Sequence, residues 1–317
     1  MEIKDQNVLV TGGTGFVGSH LVEELVRREA NVTTTFITTN PKSYFFSQKL
    51  HKKVRMTHVD VNDFNELFDV VTKYEVDYIF HLAAQALVGT AYYNPQRTFA
   101  TNVMGTVNVM ESVRLYPRIK GAIVASSDKA YGKLKKDKYV EEDSLKGDHP
   151  YESSKSAADI IANSYFKTYQ LPVCTTRFGN IYGEGDLNYS RIVPGIMRSM
   201  VTGETLEVRS NGKYVRDYLY VKDVVDGYML LADNIDKLKG EPFNFGSDET
   251  LSVLEVIQHI QRLLKKKLRY KILDAAKNEI PYQSLDYSKI KKKLGWKPKY
   301  NFKKTAEKIY KWYKKIS

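Results

Sequence analysis

The sequence predicts an α/β fold, in which a Rossmann-type doubly wound parallel sheet is followed by a smaller C-terminal α/β lobe. Short apolar runs alternate with amphipathic helical patterns over roughly the first 150 residues, which indicates βαβ units and a parallel sheet. The glycine spacing Gly12-x-x-Gly15-x-x-Gly18 stands between the first apolar run and the first helical pattern. Beyond Gly183 and Gly185 the pattern changes, so we expect a Rossmann domain over residues 1–180 and a second lobe over 181–317, with some elements returning to the first domain.

Size and composition indicate an ordinary globular protein. The chain has 317 residues, of which 42% are apolar and 27% are charged. No apolar run approaches the roughly 18 residues of a membrane-spanning helix, and the chain enters a strand pattern at Val8 without a signal-peptide pattern, so we expect a cytoplasmic protein. The single cysteine, Cys174, lies in a strand-like run, which predicts a buried structural side chain and excludes a disulfide framework.

The net charge of +12 is concentrated at the C-terminal end. Residues 251–317 hold 19 of the 49 Lys and Arg residues but only 5 of the 37 acidic ones. Basic runs of this kind occur in nucleic-acid-binding proteins, but no aromatic-and-basic single-strand motif or helix-turn-helix pattern accompanies them. We therefore favour solvated helix faces over nucleic-acid binding.

The glycine spacing carries the first functional prediction. Gly12, Gly15 and Gly18 follow the apolar strand Val8–Val10 and precede a helix. In that context backbone N–H groups and a helix N-terminus meet a pyrophosphate without side chains in the way. We therefore predict a bound dinucleotide at this loop.

The end of the second strand normally distinguishes NAD from NADP. An acid there binds the ribose hydroxyls, whereas a base binds a 2′-phosphate. Here the segment 37–42 contains no acid and its only cation is Lys42, so NADP is somewhat favoured and the choice between NAD and NADP stays open. Asp60, at the end of the third strand pattern, is either an acceptor for the adenine amino group or a plain surface carboxylate.

A cluster of reactive side chains follows the apolar run 122–125. Ser127, Asp128 and Lys129 come directly after it, at the carboxyl end of a predicted buried strand, where ligands bind in open α/β sheets. Tyr151 and Lys155 are four residues apart on a predicted helix, so they share one face, and we expect the Lys155 ammonium to lower the pKa of the Tyr151 phenol. The alternative for this pair alone is the start of an ordinary amphipathic helix.

Several motifs together resemble the extended short-chain dehydrogenase/reductase family, and within it the nucleotide-sugar 4,6-dehydratases. The likeness is greatest to CDP-glucose 4,6-dehydratases, with further similarity to GDP-mannose 4,6-dehydratases. It covers essentially the whole chain. The motifs are Thr11-Gly-Gly-Thr-Gly-Phe-Val-Gly18, Asp60-Val61, His81-Leu-Ala-Ala-Gln85, Asn102-Val-Met-Gly-Thr106, Ser126-Ser-Asp-Lys-Ala-Tyr-Gly132, Tyr151-x-x-x-Lys155, Gly179-Asn-Ile-Tyr-Gly-Glu-Gly-Asp186, Arg191-Ile-Val-Pro194 and Arg216-Asp217.

The resemblance implies a tightly bound NAD(P), a nucleotide-diphosphate hexose linked to CDP, GDP, UDP or dTDP, and no metal. The cofactor contacts it implies are Gly12, Thr14, Gly15, Phe16, Val17, Asp60, Val61, Leu82, Ala83, Ala84, Asn102, Tyr151 and Lys155. The substrate contacts it implies are Gln85, Asn180, Arg191 and Arg216. It also implies a homodimer that pairs through the helices containing residues 103–110 and 158–165.

The resemblance further implies catalytic roles. Tyr151 is the base at the sugar 4-hydroxyl, Lys155 holds the nicotinamide ribose, and Ser127 bonds the same sugar oxygen. Asp128 matches the general acid of the dehydratases. Loss of water across C5 and C6 requires a ketone at C4 first, and then an acid and a base. Asp128 and Lys129 would provide them if burial or a neighbouring cation lowers the pKa of Lys129; the alternative is a surface Asp-Lys pair. A 4-epimerase needs no such pair and is the nearest alternative; a non-catalytic dinucleotide-binding scaffold is the alternative of another class.

Overall fold

The computed structural model describes residues 3–275 and 280–317. In chain order the strands are β1 (Asn7–Thr11), β2 (Asn31–Phe36), β3 (Arg55–His58), β4 (Tyr78–His81), β5 (Gly121–Ala125), β6 (Val173–Phe178), β7 (Asn180–Tyr182), β8 (Leu206–Val208), β9 (Val215–Tyr220), β10 (Pro242–Phe245), β11 (Thr250–Ser252), β12 (Tyr270–Ile272) and β13 (Tyr282–Gln283). The α-helices are α1 (Phe16–Arg27), α2 (Tyr44–Ser47), α3 (Phe64–Lys73), α4 (Val88–Tyr93), α5 (Pro95–Phe99), α6 (Gly105–Leu115), α7 (Pro150–Tyr169), α8 (Ile192–Thr202), α9 (Val221–Asp233), α10 (Ile235–Leu238), α11 (Val253–Leu264), α12 (Ser288–Leu294) and α13 (Phe302–Ile316). Short 3₁₀ segments lie at Leu50–Lys52 and Asp128–Tyr131, and a π-helical turn lies at Ala100–Met104.

The main sheet has seven strands in the order β10-β6-β5-β4-β1-β2-β3. All its pairings are parallel, and β1 pairs with both β2 and β4. The chain thus winds one way from β1 to β3 and the other way from β4 to β6. The reversal leaves a crevice at the carboxyl ends of β1 and β4, where open α/β sheets bind ligands. The predicted Rossmann-type class is confirmed.

The central strands are buried because helices cover both faces of the sheet. Every residue of β6 is buried, and only the last residue of β5 is partly exposed. Cys174 lies in β6, is 1% exposed and contacts the carbonyl oxygen of Leu238 through Sγ at 2.9 Å. Burial raises the pKa of this thiol to about 12, which agrees with the predicted structural role.

Two elements beyond residue 180 pack into the first domain. Strand β10 pairs with β6 at the edge of the main sheet, and Val224 and Leu231 of α9 share one hydrophobic core with Val10 and Leu21. The division at residue 180 itself stays a prediction.

The remaining strands form a smaller sheet around β9. Strands β7 and β13 pair with β9 in parallel and β11 pairs with it in antiparallel, while β8 and β12 form a separate pair. This sheet places Arg216 of β9 toward the crevice of the first domain, because Arg216 lines the same cleft as the glycine loop. Among the described residues, no helix combines the length and apolar character that a membrane crossing requires.

Candidate active site

A cleft of about 1510 Å³ opens at the carboxyl ends of the main strands, between the two sheets. Most of the residues predicted from sequence line it. They are Gly12, Thr14, Gly15, Phe16, Val17, Gly18, Val61, Leu82, Ala83, Ala84, Ser127, Asp128, Lys129, Tyr151, Lys155, Asn180, Arg191 and Arg216. Three others, Asp60, Gln85 and Asn102, are not among its lining residues.

The glycine loop passes close to the next strand end. Gly12 has a φ of 71°, and a Cβ there would lie 2.9 Å from the backbone nitrogen of Ala83. The N–H of Gly15 donates to the carbonyl oxygen of Gly12 at 3.0 Å, which closes the turn into α1. Only glycine allows this backbone conformation and this approach together, so the loop presents backbone rather than side chains to the cleft. Such a surface fits a pyrophosphate.

A buried histidine braces this loop. Nδ1 of His81 lies 2.8 Å from Oγ1 of Thr11, and the same hydroxyl accepts a hydrogen bond from the N–H of Ala83 at 3.2 Å. Burial lowers the pKa of His81 to about 3, and the positive charge of Lys155 acts in the same direction. His81 is therefore neutral and ties β1 to β4, a role that the sequence pattern did not indicate.

Two of the residues outside the cleft lining hold a loop in place. Asn102 is 1% exposed; its Oδ1 accepts from the N–H of Gln85 at 2.7 Å and its Nδ2 donates to Oγ of Ser154 at 2.8 Å. The side chain of Gln85 bonds both backbone groups of Leu87. Asn102 thus links the segment after β4 to α7, and Gln85 stabilises the turn within that segment. Their predicted ligand contacts stay predictions.

At the end of β2, none of the described residues that line the cleft is acidic, as the sequence indicated. Thr35 and Thr38 line the cleft at the end of β2. Oδ1 of Asp60 accepts hydrogen bonds from the backbone and the side chain of Asn62, at 3.0 and 2.9 Å. The contact of Asp60 with adenine stays a prediction.

Helix α7 carries the tyrosine and the lysine. It begins at Pro150, a residue that suits the first helical position because it lacks an N–H. Nζ of Lys155 donates to the carbonyl oxygen of Ala125 at 2.7 Å, and burial lowers the pKa of Lys155 to about 8, against the effect of Asp159. This bond ties the first turns of α7 to the end of β5.

The prediction that the Tyr151 phenol has a lowered pKa is wrong for this structure. Burial raises the pKa of Tyr151. The positive charge of Arg191 and a hydrogen bond with Ser127 lower it, and the charge of Asp128 adds to the increase. Sequence spacing identified Lys155 as the helical neighbour of Tyr151, but burial has the largest effect on the pKa of the phenol.

The carboxylate and the amine after β5 form a tight pair. Oγ of Ser127 donates to Oδ1 of Asp128 at 3.0 Å, and Nζ of Lys129 donates to Oδ2 at 3.0 Å. Burial lowers the pKa of Lys129, Asp128 raises it, and the positive charge of Arg216 lowers it further. Lys129 also donates to Oε1 of Gln283, a residue that the sequence analysis did not select.

The opposite end of the cleft is rich in arginine. Arg191 precedes α8 and donates to Oδ2 of Asp186 at 3.1 Å, and Arg216 is 7% exposed on β9. Arg198 and Arg209 line the cleft as well, although no sequence motif marked them. Guanidinium groups bind phosphates through paired hydrogen bonds, so this end can hold a diphosphate.

Comparisons with known proteins identify the family to which the chain belongs. A family model described as GDP-mannose 4,6 dehydratase matches residues 9–309. The CDP-glucose 4,6-dehydratase of Salmonella typhimurium is 30% identical over 98% of this chain and 90% of its own. The dTDP-glucose 4,6-dehydratase of Bacillus anthracis, solved in complex with NAD, superposes with a TM-score of 0.86 at 29% identity, covering 98% of this chain and 97% of its own. The UDP-glucose 4-epimerase of Thermotoga maritima, solved with UDP-glucose, gives 0.88 at 28% identity, covering 98% and 99%. This chain therefore belongs to the nucleotide-sugar 4,6-dehydratase family of extended short-chain dehydrogenases/reductases.

Proposed function

We propose that the protein is a nucleotide-diphosphate-hexose 4,6-dehydratase, which forms a 4-keto-6-deoxy sugar. The observation that carries the proposal is the Asp128–Lys129 pair, at 3.0 Å, in the same cleft as Tyr151 and Ser127. An epimerase needs only a group that handles the proton of the 4-hydroxyl. A dehydratase needs an acid and a base as well, and this pair offers both.

The cleft fits a nicotinamide dinucleotide, which would supply a hydride acceptor for C4 and a hydride donor for C6. The glycine loop around Gly12 and Gly15 would hold its pyrophosphate, and Lys155 would hold its nicotinamide ribose. The Bacillus anthracis relative contains NAD. In this chain the end of β2 leaves NAD and NADP as alternatives, which a binding titration with each would separate.

The proton transfers divide between two sets of side chains. Tyr151 takes the proton of the 4-hydroxyl, and Ser127 and Arg191 favour the phenolate that this step requires. Lys129, whose pKa is lowered by burial, takes the C5 proton. Asp128 gives a proton to the departing C6 hydroxyl. When hydride is added at C6, Lys129 returns its proton to C5, and the proton that Tyr151 took from the 4-hydroxyl replaces, through solvent, the one that Asp128 gave to the leaving water. Nζ of Lys129 and Oδ2 of Asp128 are 3.0 Å apart, so the base and the acid can serve neighbouring carbons of one sugar.

Mass spectrometry of the product tests the proposal against the 4-epimerase, which the likeness to the Thermotoga maritima enzyme favours as second candidate. The purified protein is incubated with CDP-, GDP-, UDP- and dTDP-hexoses. We expect one of them to lose the mass of one water and to give a 4-keto product. A changed sugar of unchanged mass would establish the epimerase instead, and no reaction with any hexose would leave the non-catalytic scaffold.

We also propose a homodimer through α6 and α7. These neighbouring helices expose apolar side chains: Leu115 is 44%, Ile160 is 56% and Tyr169 is 52% exposed. A second copy would cover this face, since exposed apolar clusters mark interaction sites. Light scattering at micromolar concentration should give twice the mass of the chain, and Ile160→Lys should give a monomer. A wild-type monomer would contradict the proposal.

A further inference from the structure

Gln283 lies against the catalytic pair although it is 155 residues away from Asp128 in the chain. Its side chain is 1% exposed. Nε2 donates to the backbone carbonyl oxygen of Asp128 at 2.7 Å, and Oε1 accepts from Nζ of Lys129. The backbone carbonyl oxygen of Asp128 only accepts, so it fixes the orientation of the amide, and Oε1 then faces Nζ of Lys129.

The segment that carries Gln283 is fixed by the smaller sheet. In β13, Gln283 pairs with Arg216 of β9. Leu285, two residues further on, is also held in place. Its N–H donates to Oδ2 of Asp217 at 2.8 Å, and Leu285 forms an isolated β-bridge with Tyr139. The amide therefore reaches Lys129 from a rigid support in the second lobe.

The hydrogen bonds of Lys129 determine where its lone pair points. A neutral amine has two N–H bonds and one lone pair. Oδ2 of Asp128 and the side-chain carbonyl oxygen of Gln283 accept the two N–H bonds. The lone pair is then the position left to take a proton, and Lys129 lines the cleft where the sugar would bind.

The charges around Lys129 make a neutral acceptor important. Asp128 and Glu152 favour its charged form, whereas Arg216 disfavours it. The negative charge of Asp128 also raises the pKa values of Tyr151 and Asp217. Gln283 satisfies an N–H group without adding a negative charge, so Lys129 keeps the lowered pKa that burial gives it.

We propose that Gln283 is a positioning residue that orients Lys129 and keeps it able to act as the C5 base. The inference rests on the proposed dehydratase function. Gln283 acts through Lys129 and Asp128 and needs no contact with the substrate.

Two variants of similar shape test the inference in the full-length enzyme. Gln283→Glu places a carboxylate beside Lys129 and should raise the pKa of Lys129 by about 1 unit or more. Gln283→Met removes the acceptor and should lower that pKa. NMR titration of the Lys129 side chain, assigned with Lys129→Gln, measures both shifts. Tyr282→Phe, on the exposed neighbour in β13, is the control and should match the wild type.

Single-turnover kinetics give the second readout. The acid limb of the pH profile for dehydration should move to higher pH in Gln283→Glu and to lower pH in Gln283→Met, while the rate of C4 oxidation, followed by cofactor absorbance, stays unchanged. An unshifted Lys129 pKa in both variants, or an equal loss of oxidation and dehydration, would overturn the positioning role. The NMR titration does not depend on the reaction, so it tests Gln283 even if product mass rejects the dehydratase.

Discussion

The end of the cleft proposed for the cofactor (the cofactor end) is lined by backbone and uncharged side chains, whereas the end proposed for the substrate (the substrate end) contains four arginines. No residue from 12 to 18 or from 82 to 86 that lines the cleft carries a charge. The opposite end brings together Arg191, Arg198, Arg209 and Arg216 from different elements. We expect the first end to bind its ligand through shape and backbone N–H groups, and the second through charge and side-chain hydrogen bonds.

Because of this difference, we expect ligand binding at the two ends to be sensitive to different substitutions. A single added methyl group disturbs the cofactor end because backbone segments touch there. At the substrate end side-chain geometry matters, because phosphate binding depends on where each guanidinium points. The side chains to which we assign the proton transfers should give the largest effects on turnover.

Tyr151→Phe should have the largest effect, a decrease in turnover of about 1000-fold, because the group that takes the O4 proton is lost. Added substrate should leave the bound cofactor oxidised in single-turnover absorbance. Tyr270→Phe, on an exposed tyrosine, is the control. Normal cofactor reduction in Tyr151→Phe would remove this residue from the oxidation step.

Asp128→Asn should decrease turnover by about 100-fold while sparing oxidation, because an amide cannot protonate the departing hydroxyl. Reduced cofactor should therefore accumulate after substrate is mixed with the variant. The exposed Asp137 provides the control variant Asp137→Asn. If Asp128→Asn blocked cofactor reduction as completely as Tyr151→Phe, the elimination role would be wrong.

Gly12→Ala should weaken cofactor binding by roughly 10-fold or more, since the new Cβ meets the backbone of Ala83 and the positive φ becomes strained. Fluorescence titration with NAD and NADP measures the change. Gly203→Ala is the matched control, because Gly203 has a φ of 79° with open space around it. Equal losses of cofactor affinity in both variants would show that general destabilisation, not the loop, is responsible.

Arg216→Lys should give the smallest effect, about 10-fold weaker binding of the nucleotide sugar with unchanged cofactor affinity, because one ammonium does not replace a planar guanidinium. Isothermal titration calorimetry with the active nucleotide sugar measures the change. Arg262→Lys, on the exposed side of α11, is the control. A loss of cofactor affinity in Arg216→Lys would contradict the division between the two ends.

The sequence by itself determined the fold class, the glycine loop and the set of side chains after β5 and at the start of α7. Each of these depends on local spacing: Gly12 to Gly18 sits between a strand and a helix, and Tyr151 and Lys155 are one helical turn apart. Parallel strands bring their carboxyl ends to one edge, so residues that follow β1, β4 and β5 had to meet in one cleft.

Only the tertiary structure decided how these groups are held and charged. Gln283 reaches Lys129 from the other end of the chain, His81 ties Thr11 to the strand beside it, and burial raises the pKa of Tyr151 despite its helical neighbour. Arg198 and Arg209 line the cleft, although no sequence motif marked them as site residues. The physical reason is that a buried polar group takes its partner, and its pKa, from whatever packs against it in space, and sequence spacing does not specify that neighbour.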